Sequence, residues 1–254
     1  VLLFVVALPA CAIGGALLVR RVVGADVLAR HNDVAGFIYA VVGVVYAVLL
    51  GFSAIIVWEQ FRRAQEGVEH EANALADLYR DSRVFPPEIR DAVELHVREY
   101  ARLVVEKEWP AMAEGQSSSE TWDEYNRLWQ TYHRFEPQDD RQRVWFAESL
   151  QRLNALADVR RERMLSVRSG VPNVMWGVLL GGGAITIGFT FLFGMRNTRA
   201  QAFMTAGLAL TIGGVLLSIL ALHRPFAGIT RVEPEAFHQV DRILELWNQP
   251  GGEP

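Results

Sequence analysis

Cysteine occurs once, at Cys11, inside an apolar run. A lone thiol cannot close a disulfide within the chain, so a disulfide scaffold and dithiol redox chemistry are excluded. Lysine also occurs once. Of 25 basic residues only Lys107 is a lysine, a bias that points to a GC-rich bacterial genome and carries no mechanism. Histidines are few and scattered. His70-Glu71 begins like a zinc-protease helix, but position 74 is Ala, so the second histidine ligand is missing and no metal site is expected. No glycine-rich phosphate loop stands between a strand and a helix, and no serine or cysteine sits in a nucleophile context. With no catalytic constellation, the chain is not expected to be an enzyme, and no cofactor is expected. The net charge of −4 is too small to favour nucleic acid or an acidic partner.

Charge is missing from four long stretches, and these organise the chain. They are Val1–Val19, Gly36–Trp58, Val171–Met195 and Ala202–Leu222. At about 1.5 Å rise per residue, some 20 uncharged residues cross a hydrocarbon core, so each stretch predicts a membrane-spanning helix. Leu8-Pro9-Ala10-Cys11 has the look of a lipoprotein cleavage box. The apolar run continues eight residues beyond Cys11, so a retained span is expected instead. No ionisable residue lies within any span, which argues against a proton-coupled transporter.

Between the second and third spans lies Glu59–Gly170, rich in Arg and Glu. No segment of useful length alternates with a strand's period. Phe61, Val68 and Leu75 recur every seven residues, with Ala64, Ala72 and Leu78 beside them, the pattern of a helix-packing seam. No breaker separates Gly51 from Val84 except Gly67, which costs about 1 kcal/mol in a helix, so the second span is expected to run on well past Trp58. Pro87 suits the first turn of the next helix, whose apolar face is Ile89, Val93, Val97, Tyr100 and Val104, and Pro110 is expected to stop it. Ser117 with Glu120 fits a capping box, and a long helix is expected from about Gln138 to Val167. Glu66, Glu69, His70 and Asp77 read as a solvated helix face.

The fold class is therefore an all-α integral membrane protein. Four transmembrane helices accompany a helical cytoplasmic domain continuous with the second and third spans. Residues 1–58 hold the first two membrane helices, 59–170 the cytoplasmic domain, 171–223 the other two membrane helices, and 224–254 a cytoplasmic tail with a short amphipathic helix. The orientation follows from arginines near the membrane. Eight (62, 63, 160, 161, 163, 168, 224, 231) lie on the domain side and five (20, 21, 30, 196, 199) on the other. Gly177, Gly181–Gly183 and Gly213-Gly214 permit close helix contact, and Thr186, Thr190, Thr211 and Ser218 are expected to hydrogen-bond between helices.

Short motifs along the whole chain resemble a bacterial membrane family with a bestrophin-like domain. They are Gly51-Phe52 with Val57-Trp58-Glu59, Glu108-Trp109-Pro110, Asp158-xx-Arg161-xx-Arg163, Trp176, and Arg224-Pro225-Phe226-xx-Gly228. More distantly the chain is similar to bestrophin channels. That resemblance implies a pentameric pore lined by the second span, with Val44, Val48 and Phe52 as its apolar neck; below it Arg62 and Arg63 could concentrate anions as vestibule charges, which Glu59 and Glu66 on the same helix would oppose. It implies small inorganic ions, a homo-oligomer and the lipid bilayer of a bacterial inner membrane as partners. The early proline of the bestrophin pore helix is missing, and Glu136, Asp139 and Asp140 are the nearest approach to the bestrophin calcium clasp, so calcium gating is not implied. A membrane-anchored helical scaffold or signalling module without conduction remains the alternative.

Overall fold

A computed structural model describes residues 2–248; Val1 and residues 249–254 of the tail lie outside the described residues. The described residues form helices joined by turns and short irregular segments, with no strand among them. Its helices are α1 (Leu8–Val23, preceded by a π turn at Leu3–Ala7), α2 (Ala25–Ala29), α3 (Asn32–Ser82), α4 (Pro87–Leu103), α5 (Trp109–Ala113), α6 (Ser119–His133), α7 (Asp140–Val167), α8 (Asn173–Phe189), α9 (Thr198–Leu222) and α10 (Glu235–Asn248). Four of them are long and apolar enough to cross a membrane: Leu3–Val23, Asn32–Ser82, Asn173–Leu192 and Thr198–Leu222. The described residues form two compact units, one of the residues up to 59 with 170–223, the other of residues 60–169 with those from 224 onward.

Helix α3 runs unbroken for 51 residues. Gly67 is tolerated inside it, as one glycine costs only about 1 kcal/mol. Pro86 ends the polar stretch after Ser82, because a proline disfavours helical backbone in the residue before it.

Two π turns have one cause. Leu3–Ala7 precedes Pro9, and Val104–Glu108 precedes Pro110. In each case the residue before the proline reaches back five positions, Leu8 N–H to Leu3 O and Trp109 N–H to Val104 O. A proline cannot donate to the carbonyl four residues back and its ring collides with it; widening the turn relieves both faults. Pro110 therefore does not stop the helix as the sequence suggested. The chain continues helically to Ala113.

In the membrane unit, buried Leu179, Ala209, Ile212, Leu216 and Ile219 pack with Ala12, Tyr46, Leu50 and Val57. Close approach needs glycine at several places, Gly182 and Gly213 among them. A Cβ on Gly182 would sit 2.6 Å from the Tyr46 ring, and one on Gly213 would sit 2.7 Å from Phe4 O. Gly177, Gly181 and Gly214 meet nothing within 4 Å, so they are not part of that packing. The hydroxyls also differ from expectation. Thr186, Thr211 and Ser218 donate to carbonyls of their own helices four residues back, within easy reach of a short side chain. Only Thr190 joins two helices, accepting from Thr205 at 3.3 Å.

In the second unit the seam residues Ala64, Val68, Ala72, Leu75 and Leu78 of α3 are buried with Val93, Val97, Tyr100 and Val104, and with Phe237, Val240 and Leu244 of α10. Two caps start its long helices. Ser118, one residue later than the capping box predicted, accepts from Thr121 N–H, and Asp139 accepts from Gln142 N–H at 2.7 Å.

Candidate functional site

The orientation of α3 defines the first candidate site. Tyr46, Leu50, Ser53 and Val57 are buried, and at 100° per residue they share one face. Tyr46 fixes that face. Its ring lies over Gly182 and Gly183, and its hydroxyl donates to Leu179 O at 2.8 Å. Val44, Val48 and Phe52 lie on the opposite face and are 65%, 50% and 63% exposed on the single chain. Phe37, Val41 and Ile55 extend the same exposed apolar stripe. Continuing the helical period, Glu59, Arg62 and Glu66 follow on that line, and Arg63 lies to one side. Arg62 and Glu66 form an exposed i,i+4 ion pair. Within the membrane unit the helix thus carries a stripe of large apolar side chains turned away from the packing of its own chain.

The second unit holds a cluster that residue-by-residue reading missed. Glu71 of α3 and Arg163 of α7 are fully buried and meet in a two-point pair, Arg163 Nε to Glu71 Oε2 at 2.7 Å and Nη2 to Oε1 at 2.8 Å. Arg163 Nη2 also donates to Glu108 Oε2 at 2.6 Å, and Arg160 pairs with the other Glu108 oxygen. The Tyr100 hydroxyl donates to Glu71 Oε1 at 2.7 Å. The guanidinium of Arg163 lies 5.7 Å from the Trp109 ring centroid and 5.8 Å from that of Phe237. Two carboxylates face two guanidinium groups, so the buried charge balances. Burial alone would lower the Arg163 pKa, but Glu71 and Glu108 outweigh it and the net shift is upward. Burial, with the neighbouring Glu71 charge second, pushes the Tyr100 phenol well up. The π turn before Pro110 delivers Glu108 into this cluster. One signal was available: Glu71 lies three residues after Val68 and four before Leu75, a carboxylate set in an apolar seam.

Among the described residues no group of three His, Cys, Asp or Glu side chains could hold a metal ion. Asp139 is committed to capping α7, and Asp140 pairs with Arg143.

These features fit one family. The bestrophin-like domain model matches residues 6–237, and the chain belongs to that family. The fold is similar to that of a bacterial bestrophin homolog from Klebsiella pneumoniae, solved by zinc phasing, at 15% identity over 97% of this chain and 98% of that one, with a TM-score of 0.71. A point variant of the Klebsiella pneumoniae homolog gives 14% identity, 96% and 99% coverage and a TM-score of 0.71. A structure described as a membrane protein gives 14% identity, 95% and 99% coverage and a TM-score of 0.66. No curated protein matches the chain.

Proposed function

We propose that the chain is one subunit of an oligomeric ion channel, with the conduction path lined by α3. The observation that carries this is the orientation of Val44, Val48 and Phe52, which point away from their own fold while Tyr46, Leu50, Ser53 and Val57 point into it. Membership of the bestrophin-like family supports the reading. Repeated around an axis, the three positions become stacked apolar rings that resist wetting and so hold back ions. Glu59, Arg62, Arg63 and Glu66 follow on the same helix and would supply vestibule charges. The number of subunits, five, rests on the likeness to bestrophins. The domain of residues 59–170 and the tail from 224 face the cytoplasm, on the arginine count, in a bacterial inner membrane.

Flux through liposomes containing the purified protein tests this reading, together with its mass in detergent. A ring with anion or cation flux above empty liposomes supports it. A monomer without flux would favour the second reading, a membrane-anchored scaffold.

A further inference from the structure

Five arginines gather at one end of the membrane unit: Arg20 and Arg21 in the last turn of α1, Arg30 just before α3, and Arg196 and Arg199 at the start of α9. The acidic residues there are Asp26 and Asp33. Among the described residues, none of the five arginines is in an ion pair. Arg20 instead turns over the 193–196 segment, donating to Met195 O, Gln201 Oε1 and Arg196 O. Asn32 holds the same segment, donating to Gly194 O at 3.1 Å and accepting from Gly194 N–H at 3.0 Å. Gln201 donates to Phe193 O at 2.8 Å. Beneath this framework is a cavity of about 250 Å³. Asn32, Gln201 and Thr190 form its polar wall, and Tyr39, Met204 and Leu208 its apolar one. Met204 is also exposed on the surface of α9, next to the exposed Phe203, so the apolar wall continues onto the outer face of that helix.

A cluster of unpaired cations beside an amphipathic cleft has one chemical complement, a phosphate-bearing anion with an apolar tail. We propose that this cleft binds an anionic phospholipid, its headgroup phosphate on the arginines and the first part of an acyl chain along Met204 and Leu208. The N-terminal end of the 25-residue α9 adds its positive dipole at the same place. Each surface arginine near an anionic lipid contributes about a fivefold gain in affinity. The inference goes beyond conduction and does not depend on it.

The test uses the purified full chain in neutral detergent, with binding of short-chain phosphatidylglycerol, short-chain phosphatidylcholine and inorganic phosphate measured separately. Phosphatidylglycerol should bind more tightly than phosphatidylcholine by at least tenfold. The substitution Arg196→Gln, next to the lining residue Met195, should cost about fivefold of phosphatidylglycerol binding. The Arg196 side chain is exposed and makes no hydrogen bond among the described residues, so the fold should survive, unlike a change at Arg20, which holds the 193–196 segment. Met204→Trp should fill the cleft and weaken both lipids. Equal binding of the two lipids would overturn the proposal. So would inorganic phosphate matching phosphatidylglycerol, which would make the site one for a free anion.

Discussion

Tyr46 of α3 lies against Gly182 of α8 so closely that a Cβ there would come within 2.6 Å of the ring, and the Tyr46 hydroxyl donates to Leu179 O at 2.8 Å. This pair sets the rotation of α3, and the rotation decides which side chains face outward. Gly182→Ala should overpack the contact and destabilise the membrane unit by about 1–3 kcal/mol. Tyr46→Phe should cost less, about 1 kcal/mol for the lost hydrogen bond. Thermal melts in detergent would show the order, and an unchanged melting temperature in Gly182→Ala would remove this contact as the lock on α3.

The buried charge cluster makes a second prediction. Arg163→Met removes one guanidinium and leaves Glu71 and Glu108 facing each other with Arg160 alone to balance them. Removing one member of such a buried set costs roughly 3–5 kcal/mol. Arg163→Lys should rescue little, because an ammonium group cannot span both Glu71 oxygens as the planar fork does. Denaturation measured by a probe in residues 60–169 would test both, and a melt like that of the parent protein in Arg163→Lys would show that the two-point geometry is not needed.

Much of this architecture was legible in the sequence, and the limits are physical. The span at Gly36–Trp58 is readable because uncharged length is a local property. The seam of Phe61, Val68 and Leu75 is readable because its period is local too. The pairing of Glu71 with Arg163 was not, because the partners are 92 residues apart and either could equally have been solvated. Pro110 misled for a related reason: its effect depends on whether the preceding turn can widen, and Val104–Glu108 does. The outward stripe of α3 was legible as a stripe, since Val44, Val48 and Phe52 share a face by period alone. What they face in an assembly depends on neighbouring chains, which one sequence does not contain.

Alkaline pH supplies a third prediction. Tyr100 and Tyr132 are fully buried, and burial raises both phenols above their ordinary 10.0. Above that value the unfolded chain releases these protons while the folded chain keeps them. Stability is therefore full below pH 10.0 and falls as the pH rises beyond it, by about 1.4 kcal/mol per pH unit for each such tyrosine. Phenolate absorbance from these two residues should appear only as helical circular dichroism is lost. Their titration in the intact helical state would contradict the burial argument.

Orientation can be read with one introduced thiol. Ser118 caps α6 and also accepts from Arg160 through its carbonyl, so the exposed neighbour Ser117 is the better position. In a Cys11→Ser background, Ser117→Cys should resist a membrane-impermeant maleimide in intact cells and react after lysis. Labelling in intact cells would place the domain outside.

The apolar stripe of α3 carries the last prediction. Phe52 is the largest of the three residues proposed for the neck, so a ring of Phe52 side chains would set the narrowest point of a path along α3. An apolar constriction holds ions back because dehydrating them is costly and no polar group replaces the lost water. Phe52→Ala would widen the ring, and Val48→Ser would ease wetting with little change in volume. Both should raise ion flux in liposomes above that of the parent protein without dispersing the oligomer. Because both side chains are exposed on the single chain, neither change opens a cavity in the subunit core, and the melting temperature should stay close to that of the parent. Ile185→Ala, at an exposed apolar residue of α8, is the control and should leave flux unchanged. If Phe52→Ala leaves flux at background in a folded oligomer, Val44, Val48 and Phe52 do not gate a pore. The same stripe would then be read as a surface for lipid or for helix packing, and the scaffold function would take precedence.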